Sequence, residues 1–310
     1  MKQAATRGFV LLNALVLVAA FAAVSVVVLQ RAEATRQRQA SLQDAVQMRL
    51  YLDAFEALVL TQLRRDQLGG SLDHLGEAWA AIGDPRAPAM ILDRAEARGQ
   101  VADLQGRFNV NWLANPGDTV ARDSFARLLV QLGLPSRLGG QIIGFLDPGG
   151  PANAAAYGRL QPAVVPLGGP VQLLEQLQTV PGLSPRHYAR LAPYLAALPG
   201  DSRLNLNTTS PEVLTSLLPG SNRGGLTQAL ASRSRQPFVS LEDFAARAAL
   251  SLPEGGLPET IEPRLAVGSG WFHATIAVAL GPRILSRQTT FHRRPLPYGP
   301  QVAHRLEIPE

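Results

Sequence analysis

The chain has 310 residues, 46% hydrophobic and 17% charged, which suffices for two folded units and excludes a disordered chain. It contains no cysteine, which excludes disulfides and thiolate metal sites. The net charge is +5 and the isoelectric point near 10.2, yet the basic residues are nearly all arginine and never run longer than two, so they read as solvated faces rather than a phosphate-binding track.

The first element stands behind a short basic leader, MKQAATRG. Phe9–Leu29 is a run of 21 almost wholly apolar residues with the amide of Asn13 inside it. At about 1.5 Å per residue the run covers roughly 30 Å, the thickness of a bilayer core. It is too long for a secretory signal and ends in the bulky VSVVVLQ rather than in small residues, so it reads as a membrane span. From Phe9 to Leu68 there are 60 residues without glycine or proline, and Gly69-Gly70 then gives a stop. Past Gln30, Leu42, Val46, Leu50, Phe55, Leu58 and Val59 recur at helical spacing, which predicts that the outer half of one long helix packs on the rest of the protein.

Beyond the helix, Val101–Val110 and Gly268–Thr290 carry strand patterns, the second split by Gly281-Pro282 as a hairpin. Between them the pattern is helical: Thr119–Gly133, Gln141–Leu146, Val171–Leu177, Pro185–Leu198, Pro211–Leu218, Leu226–Arg233 and Leu241–Leu250. Ser184-Pro185 and Ser210-Pro211 are cap and first-turn pairs. The glycine pairs at Gly139, Gly149, Gly168 and Gly255 read as loops, and the proline-rich tail 295–310 reads as mobile. The fold class expected is α+β. A leader 1–8 precedes a helix 9–68, with 9–29 in the membrane. A small α/β domain formed by 69–117 and 256–294 is interrupted by a helical insert, 118–255.

Enzyme chemistry finds little support. His74, His187, His273, His292 and His304 stand alone in the sequence, with no second ligand at a metal-binding spacing, and His74 reads as a structural hydrogen-bonding residue. Gly268-Ser269-Gly270 is not a nucleophile elbow, and no lysine follows the glycine pairs as a phosphate loop requires.

RGFVLLNALVLVAAF resembles the leader junction and first residues of a type IV pilin-like subunit. The later stretches SLDHLGEAWA, LQGRFNVNWL, RLNLNTTSPEVLTSLLPG and SGWFHATIAVALGPRILSRQTTFHRR resemble, in order, segments of the K-type minor pseudopilins of bacterial type II secretion. The ordered match runs from about Arg7 to Arg294. This resemblance implies a pilin-like fold, cleavage between Gly8 and Phe9 by a prepilin peptidase, and methylation of Phe9 as the new N-terminus. It implies a single-pass protein of the inner membrane with its C-terminal domain in the periplasm. It implies partnership with other minor pseudopilins and the major pseudopilin, with secreted proteins as further candidates. The role implied is initiation of a pseudopilus and a place at its tip during export of folded proteins across the outer membrane, with no catalytic residues. Asn13 stands where the wider family has a glutamate, which K-type subunits typically lack, and it is the assembly residue implied.

Two departures from the family matter. Relatives often hold calcium in an acidic loop of the insert. The matching FLDPGGPANAAAYGRL keeps only Asp147 and Tyr157, with Asn153 as an added oxygen, so no metal and no cofactor are expected, Asp118 and Asp123 being the nearest reserve carboxylates. TVPGLSPRHYARL and the segment from NLNTTSPEVL to VSLEDF resemble helix-hairpin-helix units, and a membrane-anchored DNA-binding protein of a competence-like system is the alternative function. Pro185, which has no N–H to offer a phosphate, and the off-pattern hairpin Pro219–Arg223 favour packing units and no nucleic-acid partner.

Overall fold

The computed structural model describes residues 3–83, 89–166, 168–252 and 256–309. Helix α1 runs unbroken through 67 residues, Gln3–Gly69, a length of about 100 Å at 1.5 Å per residue. Its N-terminal stretch is apolar enough to cross a membrane and stands clear of the folded body. Further along, Met48, Leu52, Phe55, Val59 and Leu63 form one buried stripe. Each such side chain stabilises the packed state by roughly 2 kcal/mol over exposure.

Of the six residues whose spacing predicted the packed face, Phe55 and Val59 belong to that stripe. Val46 and Leu50 lie on the opposite side of α1, Leu42 and Leu58 on its two flanks, and all four are exposed. The helix carries two apolar faces, and spacing alone does not say which one meets the sheet.

After α1 come β1 (Met90–Leu92) and β2 (Ala95–Asp103). The chain leaves the sheet at Asp103 and builds the helical domain. There the order is β3 (Phe108–Asn109), α2 (Thr119–Gln131), α3 (Arg137–Leu146), α4 (Ala154–Tyr157), α5 (Pro185–Leu191), β4 (Leu195–Ala196), β5 (Leu204–Asn205), α6 (Pro211–Leu217), α7 (Arg223–Ser232), α8 (Leu241–Ala248) and β6 (Leu265–Ala266). The chain returns with β7 (Trp271–Leu280), β8 (Arg283–Arg294) and β9 (Gly299–Pro309).

The main sheet is antiparallel with order β1-β2-β7-β8-β9. Phe272, Ala274, Ile276 and Val278 face α1, while Trp271, His273 and Thr275 face away, the period-two alternation expected of a strand covered on one side. The hairpin at Gly281-Pro282 falls where predicted, with Leu280 paired to Arg283. At Gly99 the Phe55 ring occupies the space a Cβ would need, so β2 can approach the helix only as glycine.

The tail expected to be mobile is instead β9, paired along β8 from Arg294↔Gly299 to Leu285↔Pro309. Its prolines sit at the turn and on an edge strand, where a missing N–H removes no ladder bond. Ionic contacts fix it: Arg305 Nε reaches the buried Glu56 of α1 at 2.7 Å, and Glu307 accepts from Arg287 at 2.9 Å.

The helical domain is larger than expected. Its core runs from Phe108 and Trp112 through Phe125, Leu214 and Phe244 to Ile261 and Leu265, so 108–117 and 256–267 belong to it rather than to the pilin-like part; the expected boundary at Gly255 lies outside the described residues. Two short parallel ladders, β3 with β4 and β5 with β6, close the domain, and two-residue ladders leave no periodic signal. α3 includes Gly139 and Gly140, read from sequence as a loop; Gly139 lies against Leu129 of α2. The helix expected over Pro185–Leu198 ends at Leu191, where a 3-10 turn containing Pro193 leads into β4. The one expected over Val171–Leu177 is a 3-10 helix, Leu174–Thr179. Ser184 and Ser210 cap their helices through the side chain, as the Ser-Pro pairs predict.

Candidate functional site

Gly8, Phe9 and Asn13 all lie in α1, on the part that stands clear of the body. Phe9 and Asn13 are exposed and, four residues apart, share one face of the helix. Among the described residues no side chain of the folded body covers Phe9 or Asn13.

The folded body has a polar junction where the lobes meet. Arg293, at the end of β8, donates to Asp66 of α1 at 2.6 Å, to the Ser269 carbonyl at 2.6 Å, and to Asp73 in the loop after α1. Asp73 also accepts from the Ser269 amide at 2.7 Å. Asn205 of β5 donates to the Asp73 carbonyl and to Asp103, each at 3.0 Å. Asp103 further accepts from Ser269 at 2.6 Å and from Thr208 and the Gln105 amide. Burial pushes the Asp73 carboxyl up to about 7 in spite of Arg293, and pushes Asp103 upward as well. The junction thus ties α1, β2, β5 and β8 together with groups the sequence showed only as scattered Asn, Asp and Ser.

His74 makes the structural contacts expected of it: its Nδ1 accepts from the Gly76 amide at 3.1 Å and its own N–H donates to Glu77 at 3.0 Å. Asp66, Asp73 and Glu77 bring carboxylate oxygens within 4.8 Å of one another. Arg293 already holds the first two, and Glu77 accepts from Trp79 Nε1 at 2.6 Å. The histidines that stand alone in sequence do not all stand alone in space. His273 and His304 line one cavity, and His292 stacks on Trp271 with ring centroids 4.1 Å apart.

Burial, then the positive charge of Arg107 and His304, lowers His273 to about 4 from 6.5. The folded value lies below the free one, so the fold favours the neutral ring. That stability is complete above about pH 6.5 and is lost as pH falls towards 4, an effect of up to about 3 kcal/mol. His273→Gln should therefore flatten the acid side of the stability curve. Thermal melts at pH 4.5, 5.5 and 7 check this, and equal slopes for the two proteins would refute it.

The loop aligned with the family's calcium site has few free oxygens. Asp147 accepts from the Gly149 amide at 2.8 Å and lies 3.9 Å from Arg122. Tyr157 is buried and stacks on Phe145. Asp118 caps α2 and pairs with Arg264 at 2.7 Å; Asp123 is exposed on α2. This donor set does not fit a hard cation, which needs several carboxylate or carbonyl oxygens turned to one point.

The helix-hairpin-helix units are present as packing devices, with Gly182 and Gly220 at positive φ in their hairpins. Two arginines around the second unit are engaged within the fold: Arg233 donates to the carbonyls of Leu206 and Thr209, each at 2.6 Å, and Arg247 lies 4.4 Å over the Phe238 ring. Arg223 of the hairpin is exposed and lies 3.6 Å from Glu212.

A long helix with an apolar head, its second half packed on an antiparallel sheet, and a helical domain inserted between two neighbouring strands define a pilin-like pseudopilin subunit. Residues 106–200 and 204–267 each match a family model described as type II secretion system (T2SS), protein K. The type II secretion system protein K of Pseudomonas aeruginosa is 34% identical over 247 residues, covering 74% of this chain and 71% of the relative. That of Klebsiella pneumoniae is 27% identical over 296 residues, covering 89% of each. A crystal structure of the GspK-GspI-GspJ complex from the type 2 secretion system of enterotoxigenic Escherichia coli superposes with a TM-score of 0.73 at 20% identity, covering 88% of this chain and all of that one. The chain belongs to the type II secretion system protein K family, whose members are minor pseudopilins, structural components of the secretion apparatus.

Proposed function

We propose that this minor pseudopilin initiates a pseudopilus and occupies its tip, anchored in the inner membrane with its folded body in the periplasm. The prepilin peptidase removes residues 1–8 and Phe9 becomes the methylated N-terminus. Asn13 faces the neighbouring helices in the membrane. The partners are other minor pseudopilins, as in the GspK-GspI-GspJ complex of the structural relative, and the major pseudopilin below them. The protein carries no catalysis and binds no nucleic acid.

One observation carries this reading. Val46 and Leu50 form an apolar patch on α1 opposite the sheet, flanked on either side by Leu42 and Leu58, and among the described residues nothing covers it. Such a face suits a bundle of parallel helices from neighbouring subunits. Val46→Glu with Leu50→Glu alters exposed positions, so folding should change by less than about 1 kcal/mol. Recovery of the other minor pseudopilins with this chain from solubilised membranes should fall about tenfold. Leu52→Ala, on the sheet side, should instead lower stability by about 2–5 kcal/mol. Undiminished recovery with the double variant refutes the interface.

The insert loop binds no calcium. The full chain in detergent should melt at the same temperature in calcium and in chelator, because a ligand selective for the native state raises stability. A clear rise in calcium would show that other oxygens complete a site.

A further inference from the structure

Arg107 follows the turn Leu104–Gly106 and leads into β3, at the seam between the helical domain and the outer face of the sheet. It is largely sheltered from solvent, and among the described residues its guanidinium makes no hydrogen bond and no ion pair. The acid that acts on it through space is Asp103, whose oxygens are already taken by Asn205, Ser269, Thr208 and the Gln105 amide. Most other sheltered arginines of this chain are matched: Arg287 to Glu56, Arg293 to Asp73, Arg264 to Asp118. None of its nitrogens is wholly cut off from solvent, so the charge stands open to a counter-group from outside the chain.

The guanidinium opens on a cavity of about 90 Å³ shared with His273, Gln288, Thr290 and His304. Water occupies about 30 Å³ per molecule in the liquid, so the space admits a carboxylate with little to spare. His273 is neutral at pH 7, with Nδ1 3.2 Å from the Thr290 hydroxyl, and Gln288 adds an amide donor. Arg107 brings one full positive charge and Glu175 stands exposed at the rim of the same cavity, so the site matches at most one negative charge. A phosphate dianion would exceed it and would meet Glu175, an exposed carboxylate at the same cavity.

The small cavity continues into a larger one of about 530 Å³, with Thr290, His304 and Leu306 common to both. The larger space borders Ala303–Leu306 of β9, the last strand of the sheet, whose outer edge has no strand partner among the described residues. An extended chain could lie there while one of its side chains enters the small cavity.

We propose that Arg107 and the groups around it form a carboxylate-binding site at the seam of the two lobes, supplied either by an acidic side chain of an extended polypeptide or by a free small carboxylate. Arg107 holds the charge through its planar fork, and His273, Gln288 and Thr290 complete the hydrogen bonds.

Ligand-observed NMR on the full chain in detergent micelles at pH 7 tests this, with four probes: acetyl-Thr-Val-Glu-Val-Thr-amide, its Gln counterpart, acetate and inorganic phosphate. A carboxylate probe should bind at least about tenfold more tightly than the Gln peptide, the worth of one charge-assisted pair. Arg107→Gln should abolish that preference and Arg107→Lys should keep part of it. Glu peptide tighter than acetate identifies a polypeptide source; acetate binding as well as the peptide identifies a free small carboxylate. Equal binding of the Glu and Gln peptides to the wild-type chain, no binding of any carboxylate, phosphate binding above both carboxylates, or an unchanged preference in Arg107→Gln would each overturn the assignment. The comparison of Glu and Gln peptides on the wild-type chain stands even if the variants fail to fold.

Discussion

Gly8→Val should leave the chain at full length in membranes that contain an active prepilin peptidase, while the wild-type chain loses MKQAATRG and gains one methyl group at Phe9. The reason is conformational as well as steric. α1 is helical through Gly8, and a peptidase needs its scissile bond drawn out of the helix. Glycine is about 1 kcal/mol less favourable than alanine in a helix, so the first turn opens at that point with the least loss. A β-branched residue removes this freedom and adds bulk beside the bond to be cut. Cleavage at that bond would also remove Lys2 and Arg7 with the leader, so that the apolar run would begin at the terminus itself. Intact-mass measurement of both proteins reads the outcome without ambiguity. A wild-type chain at full length, or a Gly8→Val chain cut at the same bond, would remove the ground for calling 1–8 a leader.

Legibility in the sequence followed the length of each pattern. The 60 residues from Phe9 to Leu68 without a helix breaker specified α1, and the alternation of Trp271–Leu280 with its Gly281-Pro282 turn specified a hairpin. Short devices did not announce themselves. The ladders that close the helical domain are two residues each, and the network of Asp73, Asp103, Asn205, Ser269 and Arg293 joins groups up to 220 positions apart. β9 carries a weaker pattern: Val302, Arg305 and Glu307 turn towards α1, but a bulge before His304 breaks the alternation and prolines flank it. Arg107 sits in a segment matched to the family, yet only the fold reveals that it has no hydrogen-bond or ionic partner among the described residues.

Labelled full-length protein should be found once per pseudopilus, at one end, and its absence should impair initiation. The topology gives the reason. Asp103 of β2 and Phe272 of β7 are directly paired neighbours in one antiparallel sheet, so the whole helical domain stands where a hairpin turn would suffice. A pilin-like body that ended in such a turn could accept a subunit above it. Here the helical domain projects from that end of the strands, and its core, drawn from a span of more than one hundred residues between Phe108 and Leu265, does not yield to a neighbour. The membrane segment agrees in sense: a buried carboxylate is costly unless paired, and a topmost subunit has no amine above it to supply the pair, which Asn13 does not need. Replacing Leu104–Trp271 with Asn-Gly, a two-residue turn suited to the right-handed twist of the strands, should join β2 to β7 directly and leave α1 packed on the same five strands. Asp103 and Asp73 would lose partners in that variant but would also regain water, so the sheet should persist, as protease resistance of the shortened body would show. The shortened chain should then appear at intervals along the shaft, where the full-length chain does not. Full-length protein spaced along isolated filaments would refute the tip position. A folded short variant still confined to the end would show that α1, and not the inserted domain, fixes the place.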